Sequence, residues 1–229
     1  MSDAGRPPGT AVIEPRWSRH LHFGVIAFLL IELAIGVLFR DVDHLADKGM
    51  VMRAFFYPIA ALVVPIGWHL RGRPLPFPHL GAALLVLPFG LDIGGNLVGL
   101  FEVDHFDDVL HFVNWFLLIG GVCTFLLRTN ESLLVIFALG VGASATAIVL
   151  WEFVEFLVQE SGTTGLQLTY EDTITDLMES WIGGVVGAAV VTGTRWRDLV
   201  RGSGWLRYAD NPDLTMGRRS SAGPRRTGR

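Results

Sequence analysis

The chain alternates between long apolar blocks and short polar stretches. Six blocks can be read, at residues 22–39, 54–70, 80–101, 109–127, 133–158 and 173–193. Each approaches or exceeds the ~20 residues that a helix needs to cross ~30 Å of hydrocarbon. One such block is compatible with a buried helix of a water-soluble core. Six in succession predict an all-α fold, a polytopic membrane bundle of about six transmembrane helices. Pro58 and Pro65 fall inside the second and shortest block and predict a kink there. Composition agrees, with 51% hydrophobic residues and a mean hydropathy of +0.45.

The first block follows Arg16 and Arg19, as the apolar core of a signal peptide would. It is long for that role, and FRDVDHLADKG after it offers no small-residue cleavage site, so a retained first helix is expected. Of the 18 Lys and Arg residues, 15 fall on the side that holds the termini when the six helices are threaded alternately. Only Arg40, Lys48 and Arg53 fall on the other. The positive-inside rule then places both termini in the cytoplasm. Three regions follow: an N-terminal segment at 1–20, a transmembrane domain at 21–193, and a basic tail at 194–229. In the tail, Trp196, Trp205 and Tyr208 stand among arginines, a pattern that suits the membrane surface. Residues 217–229 are expected to be disordered. The basic tail reads as a topology signal, and no nucleic acid is expected as a partner. His20, His22, His69 and His79 fall at the same end of the helices and are expected at the interface. Cys123 is the only cysteine, so no internal disulfide forms.

Charge distribution changes the picture near the C-terminal end. Residues 151–180 carry seven acids and no Lys or Arg, although the segment begins and ends in apolar runs. Once the helices are oriented, Asp92 and Asn96 lie on the outer part of the third. Asp107, Asp108 and His111 lie near the outer end of the fourth, Glu152 and Glu155 in the outer third of the fifth, and Asp172 and Asp176 at the start of the sixth. Polar residues from four helices therefore reach one depth. Asp92/Asn96, Asp107/His111, Glu152/Glu155 and Asp172/Asp176 are each three or four apart and share a helix face. A charge within the hydrocarbon costs about 3 kcal/mol on insertion scales. These residues are accordingly expected to face the bundle interior or a water-filled cup. Asp107, Asp108, Asp172 and Asp176 are also placed to cap or charge-complement helix starts. That role does not extend to Glu152, Glu155 or Asp92. Glu102, Asp104, Glu160 and Glu171 read as solvated loop acids, and Glu32 stands alone in the first helix.

Carboxylates held together repel, and the strain is relieved by protonation, by a cationic side chain or by a bound cation. Arg53 can reach in from the second helix. A divalent metal is the other solution: oxygen ligands with one imidazole suit Mg2+, Mn2+ or Ca2+, with Zn2+ or Fe2+ as further options. The expected metal ligands are Asp107, His111, Glu152, Asp172 and Asp176; Glu152, Glu155 and His111 are the expected acid/base residues. The Glu-x-x-His motif of di-iron bundles is absent, as are a phosphate loop, a nucleophile elbow and HExxH. Glycines spaced four apart, Gly90/Gly94, Gly95/Gly99 and Gly183/Gly187, predict close helix packing.

The segments DDVLHF (107–112), WEFVEF (151–156) and DTITDLMESWIGGVVG (172–187) resemble, in order and separation, the VanZ-like membrane proteins. They are closer still to the YjdF-like bacterial inner-membrane proteins. The resemblance covers roughly residues 80–193. It departs from the family pattern at Asp108, where a basic residue is common, and at Ser180, where VanZ-like proteins usually carry Asn. It implies a multi-pass protein of the bacterial inner membrane with a polar, outward-facing centre, and it supplies no substrate.

The leading expectation is a membrane enzyme with a metal-dependent carboxylate site. It would hydrolyse or transfer groups on a lipid-linked or cell-envelope substrate at the outer leaflet. The alternatives are a cation- or proton-coupled transporter and a non-catalytic scaffold or envelope-stress protein. A transporter would need polar residues through the inner half of the same helices; they largely stop, with Thr124 and Ser144 the exceptions. Reaction, substrate and oligomeric state are left open.

Overall fold

In a computed structural model, the structure describes residues 10–73, 76–129, 131–161, 169–201 and 207–210. Among the described residues, six helices are long and apolar enough to cross a membrane. They are α1 (Arg16–Leu38), α2 (Met50–Leu70), α3 (His79–Leu97), α4 (Phe106–Leu126), α5 (Leu133–Glu160) and α6 (Tyr170–Arg201). Two short strands, β1 (Thr10–Ile13) and β2 (Arg207–Asp210), pair antiparallel across the two ends of the chain. The hydropathy pattern did not predict them. Their pairing puts both terminal segments at one end of the bundle, as an even number of spans requires. Residues 217–229 and Trp205 lie outside the described residues.

The bundle is a chain of neighbours: α1 packs on α3, α3 on α4, α4 on α6 and α5 on α6, with α2 at the periphery against α1 and α3. Within its apolar window α3 is 56% buried and α2 only 17%. Large apolar side chains such as Phe55, Phe56, Leu62, Phe153 and Leu157 point outward. In water that surface would drive aggregation; in a bilayer it is the solvated face.

Small residues set the closest approach. On α6, a Cβ added at Gly183 or Gly187 would run into the backbone of Phe112 or Phe116 on α4. The four-residue spacing thus lets α4 and α6 touch main chain to main chain. On α3, Gly90 and Gly94 make room for Phe28 and Glu32 of α1. Glu32 is therefore buried between two helices, and its Oε2 has no hydrogen-bond partner.

Helix boundaries shift where local chemistry outweighs hydropathy. The third block was expected to run to Phe101, but α3 stops at Leu97. Gly99 adopts a left-handed conformation (φ 70°), and a 3-10 turn follows at Leu100–Glu102. The fourth helix starts at Phe106, not Val109, so Asp107 and Asp108 lie in its first turn. The α2 helix continues through both Pro58 and Pro65. In α5, the Ser132 Oγ accepts from Val135 N at 3.3 Å and caps the start. The sixth helix runs on past 193 to Arg201.

At the end that carries the termini, His22 packs into the bundle. Its ring is buried, with Nδ1 3.1 Å from Nδ1 of His79. Beside it, Arg128 Nη2 donates to Glu14 Oε1 at 2.7 Å and Nη1 to Pro76 O at 2.6 Å. Glu14 Oε2 accepts from Ser18 Oγ (3.1 Å) and Leu80 N (2.9 Å). One carboxylate thus ties the N-terminal segment to the starts of α1 and α3 and the end of α4. Toward the same end, Trp115, Ile119, Cys123, Ile136, Ile148, Ala188 and Val191 form an apolar cluster between α4, α5 and α6.

Candidate metal centre

A cavity of about 1050 Å3 opens at the other end, bounded by the α1–α2 and α3–α4 loops and by α2 to α6. Ten of its lining residues are Asp or Glu and only two, Lys48 and Arg53, are Lys or Arg. A concave surface with that imbalance concentrates cations.

Arg53 is already committed. Its Nη1 donates to Asp92 Oδ2 and, at 2.8 Å, to Tyr57 Oη; Tyr57 Oη donates to the same Asp92 oxygen at 2.8 Å. Arg53 and Tyr57 are one turn apart on α2, so a single face of that helix answers Asp92 on α3. Asn96 Nδ2 donates to the Asp92 carbonyl at 2.8 Å. Asp92 and Asn96, expected on the polar stripe, do line the cavity, but the Asp92 carboxylate belongs to an ion pair.

The acids on α4 divide by role. Asp108 Oδ2 lies 2.9 Å from Nδ1 of His105, the residue before α4. That hydrogen bond, with the Asp108 charge, raises the pKa of the exposed His105 above 6.5. Asp107 turns toward His111 instead. The His111 Nε2 lies 3.7 Å from Asp107 Oδ1 and 3.6 Å from Asp176 Oδ1, and Nδ1 lies 3.0 Å from Ser180 Oγ. When Nδ1–H donates to the serine, the Nε2 lone pair faces both carboxylates. Fixing the tautomer through the second nitrogen is how histidine ligands of metals are commonly oriented.

Two groups of potential ligands result, each with one ligand atom per residue and all atoms within 4.8 Å of one another: Asp107, His111 and Asp176, and Glu152, Glu155 and Asp176. Asp176 belongs to both and is 2% exposed. Glu152 is 8% exposed, and neither of its oxygens has a hydrogen-bond partner; Glu155 Oε2 also has none. Carboxylates in such a setting are costly unless something answers them. The donor set, hard oxygens with one imidazole, fits a divalent cation.

The structure therefore brings together five of the six residues singled out from sequence: Asp107, His111, Glu152, Glu155 and Asp176. Asp172 lines the same cavity one turn before Asp176 but stands outside both groups. It sits in the first turn of α6, where Thr169 Oγ1 accepts from its backbone N at 3.1 Å. Glu102, Asp104, Glu160 and Glu171 are exposed, as expected, but Glu160 is the last residue of α5 and Glu171 lies in the first turn of α6, not in loops. Sequence reading missed Ser180 as a positioning residue. Its signal was there, four residues after Asp176 on the same face. Tyr57 was missed as well, and only its place one turn after Arg53 marks it.

No curated protein and no solved structure matches the chain. The family described as predicted membrane protein (DUF2238) matches residues 21–198, from within α1 to within α6. With six helices able to span a bilayer, an acid and histidine cluster between them, and a match over most of its length, the chain belongs to the DUF2238 family of predicted membrane proteins.

Proposed function

We propose that the protein is a divalent-metal-dependent enzyme of the bacterial inner membrane. It is of the VanZ-like and YjdF-like kind, with both termini cytoplasmic and the acidic cavity at the outer face. It acts by hydrolysis or group transfer on a lipid-linked or cell-envelope substrate. The observation that carries this reading is Glu152: a buried carboxylate, both oxygens without a hydrogen-bond partner, beside Glu155 and Asp176. In a bundle that needed only stability, such a group would be replaced at little cost.

In this reading Asp176 holds metal together with Asp107 and His111 on one side and Glu152 on the other, with Asp172 outside both groups. A bound divalent cation supplies Lewis acidity toward a carbonyl or phosphoryl oxygen and activates water. Glu155 is the general base. Ser180 keeps the His111 Nε2 directed at the acids. The cavity volume suits a headgroup-sized ligand.

A cation- or proton-coupled transporter would need a polar path onward. The apolar cluster from Trp115 to Val191 lies in its way, and the hydroxyls of Thr124 and Thr192 bond back to their own helices, to Gly120 O and Ala188 O at 2.8 Å each. A pure scaffold would tolerate Glu152→Gln.

Elemental analysis of detergent-purified protein, wild type beside the Glu152→Ala/Asp176→Ala variant, tests the reading. Stoichiometric metal that vanishes in the variant is the expected result. Absence of metal from the wild type, even with Mg2+ or Mn2+ supplied and thermal shift as readout, would overturn it.

A further inference from the structure

Asp176 belongs to both ligand groups, and the two groups differ in kind. One is Asp107, His111 and Asp176, two carboxylates and an imidazole; the other is Glu152, Glu155 and Asp176, three carboxylates. They reach Asp176 from different helices, α4 on one side and α5 on the other. His111 uses Nε2 toward Asp107 and Asp176, which leaves the Glu152 and Glu155 oxygens beyond its contacts.

Charge points the same way. The two groups hold four carboxylates and one imidazole. One divalent ion would leave two negative charges among carboxylates of which Glu152 and Asp176 are buried and Asp107 is half-exposed to the cavity; two divalent ions balance all four. Arg53, the guanidinium in the cavity wall, makes its hydrogen bonds to Asp92 and Tyr57 and none to the two groups. Glu152 supplies the independent sign that a ligand is missing from the second group, since neither of its buried oxygens has a hydrogen-bond partner.

We infer that the site takes a pair of divalent cations with Asp176 as the shared carboxylate. This rests on the metal-dependent reading above and deepens it. The oxygen-only position suits Mg2+ or Mn2+, and the position with His111 suits Mn2+ or Zn2+. Mn2+ is the ion both positions accept. Paired divalent ions favour in-line displacement at phosphorus, because they stabilise the attacking and leaving oxygens together. The substrate class is therefore a phosphate ester or diphosphate. The pair also solves a problem of the cavity, since its acidic lining would otherwise repel a phosphate.

Mn2+ titration of the full-length protein in detergent decides the matter, read by bound-metal stoichiometry and by electron paramagnetic resonance. Two Mn2+ per chain with an exchange-coupled spectrum is expected for the wild type. Glu152→Gln and His111→Asn should each retain one ion with an uncoupled six-line spectrum, and Asp176→Asn should lose the coupling. A single uncoupled Mn2+ in the wild type would overturn the pair and leave the single-metal enzyme standing. Two uncoupled ions would overturn the shared Asp176. No bound Mn2+ would overturn both readings and mean that protons balance the carboxylates. The wild-type count is decisive even if a variant fails to fold, which size-exclusion chromatography would reveal.

Discussion

At the end of the bundle that holds the termini, Glu14 is buried and both of its oxygens are answered, by Arg128, Ser18 and the Leu80 amide. At the opposite end Glu152 is buried to a similar degree, and neither of its oxygens has a hydrogen-bond partner. Both residues are glutamates toward an end of the helix bundle. One is joined to its surroundings by hydrogen bonds that lock a helix start, a loop and a helix end together. The other sits where three helices direct acids at one another and where the guanidinium in the cavity wall is engaged by Asp92 and Tyr57. The Glu14 carboxylate is surrounded by donors; the Glu152 carboxylate, which we propose holds a ligand, is surrounded by other acceptors. Asp92 belongs with the first kind although it lies in the cavity wall, because Arg53 and Tyr57 answer it.

The largest effects should come from exchanging these two glutamates for glutamine. Glu14→Gln leaves Arg128 with a weakened partner in a buried setting and should cost about 3 kcal/mol, the lower end for breaking a buried pair. Unfolding in mixed micelles would measure it, with bound metal unchanged in the folded fraction. Glu152→Gln should do the reverse, with unfolding without added metal shifted little or toward greater stability and bound metal falling below stoichiometric. If both variants behave alike, the distinction between the two ends fails.

A smaller effect tests the positioning of His111. Ser180→Ala removes the hydroxyl at Nδ1 and should weaken metal affinity about 10- to 100-fold, the usual range for such outer contacts. Stability without metal should be nearly unchanged, and Ser180→Thr should restore part of the affinity. An unaltered affinity would mean that His111 is held by packing alone.

The six helices, their approximate limits and the shared faces of Asp107/His111 and Glu152/Glu155 were legible in the sequence. Hydropathy over a span and a three- or four-residue spacing are local properties, and the helix carries them unchanged into the bundle. The overrun of α3 was legible too in principle, through Gly99. Three features were not legible: the burial of His22, the knot at Glu14, and the exclusion of Asp172 from both ligand groups. Each depends on which helix lies opposite.

The smallest expected effect is at His105. Its pKa is raised by Asp108, so the pair adds stability that is fully present below about pH 6.5 and is lost as pH rises through the raised value. Proton magnetic resonance of the His105 ring should show the raised midpoint, and Asp108→Asn should return it toward the ordinary value. The metal site should not respond to that change, because Asp107 and not Asp108 faces His111.

Composition and periodicity by themselves determined that this chain is a six-helix membrane protein with an excess of acids at one end. Those conclusions sum over residues and need no knowledge of neighbours. Only the tertiary structure decided which acids are answered. Arg53 meets Asp92 across 39 residues, His111 meets Ser180 across 69, and Arg128 meets Glu14 across 114. Those meetings are set by helix rotation and by how closely the glycines of α3 and α6 let neighbouring helices approach. A carboxylate's role depends on what it faces, and what it faces is a property of the packed bundle.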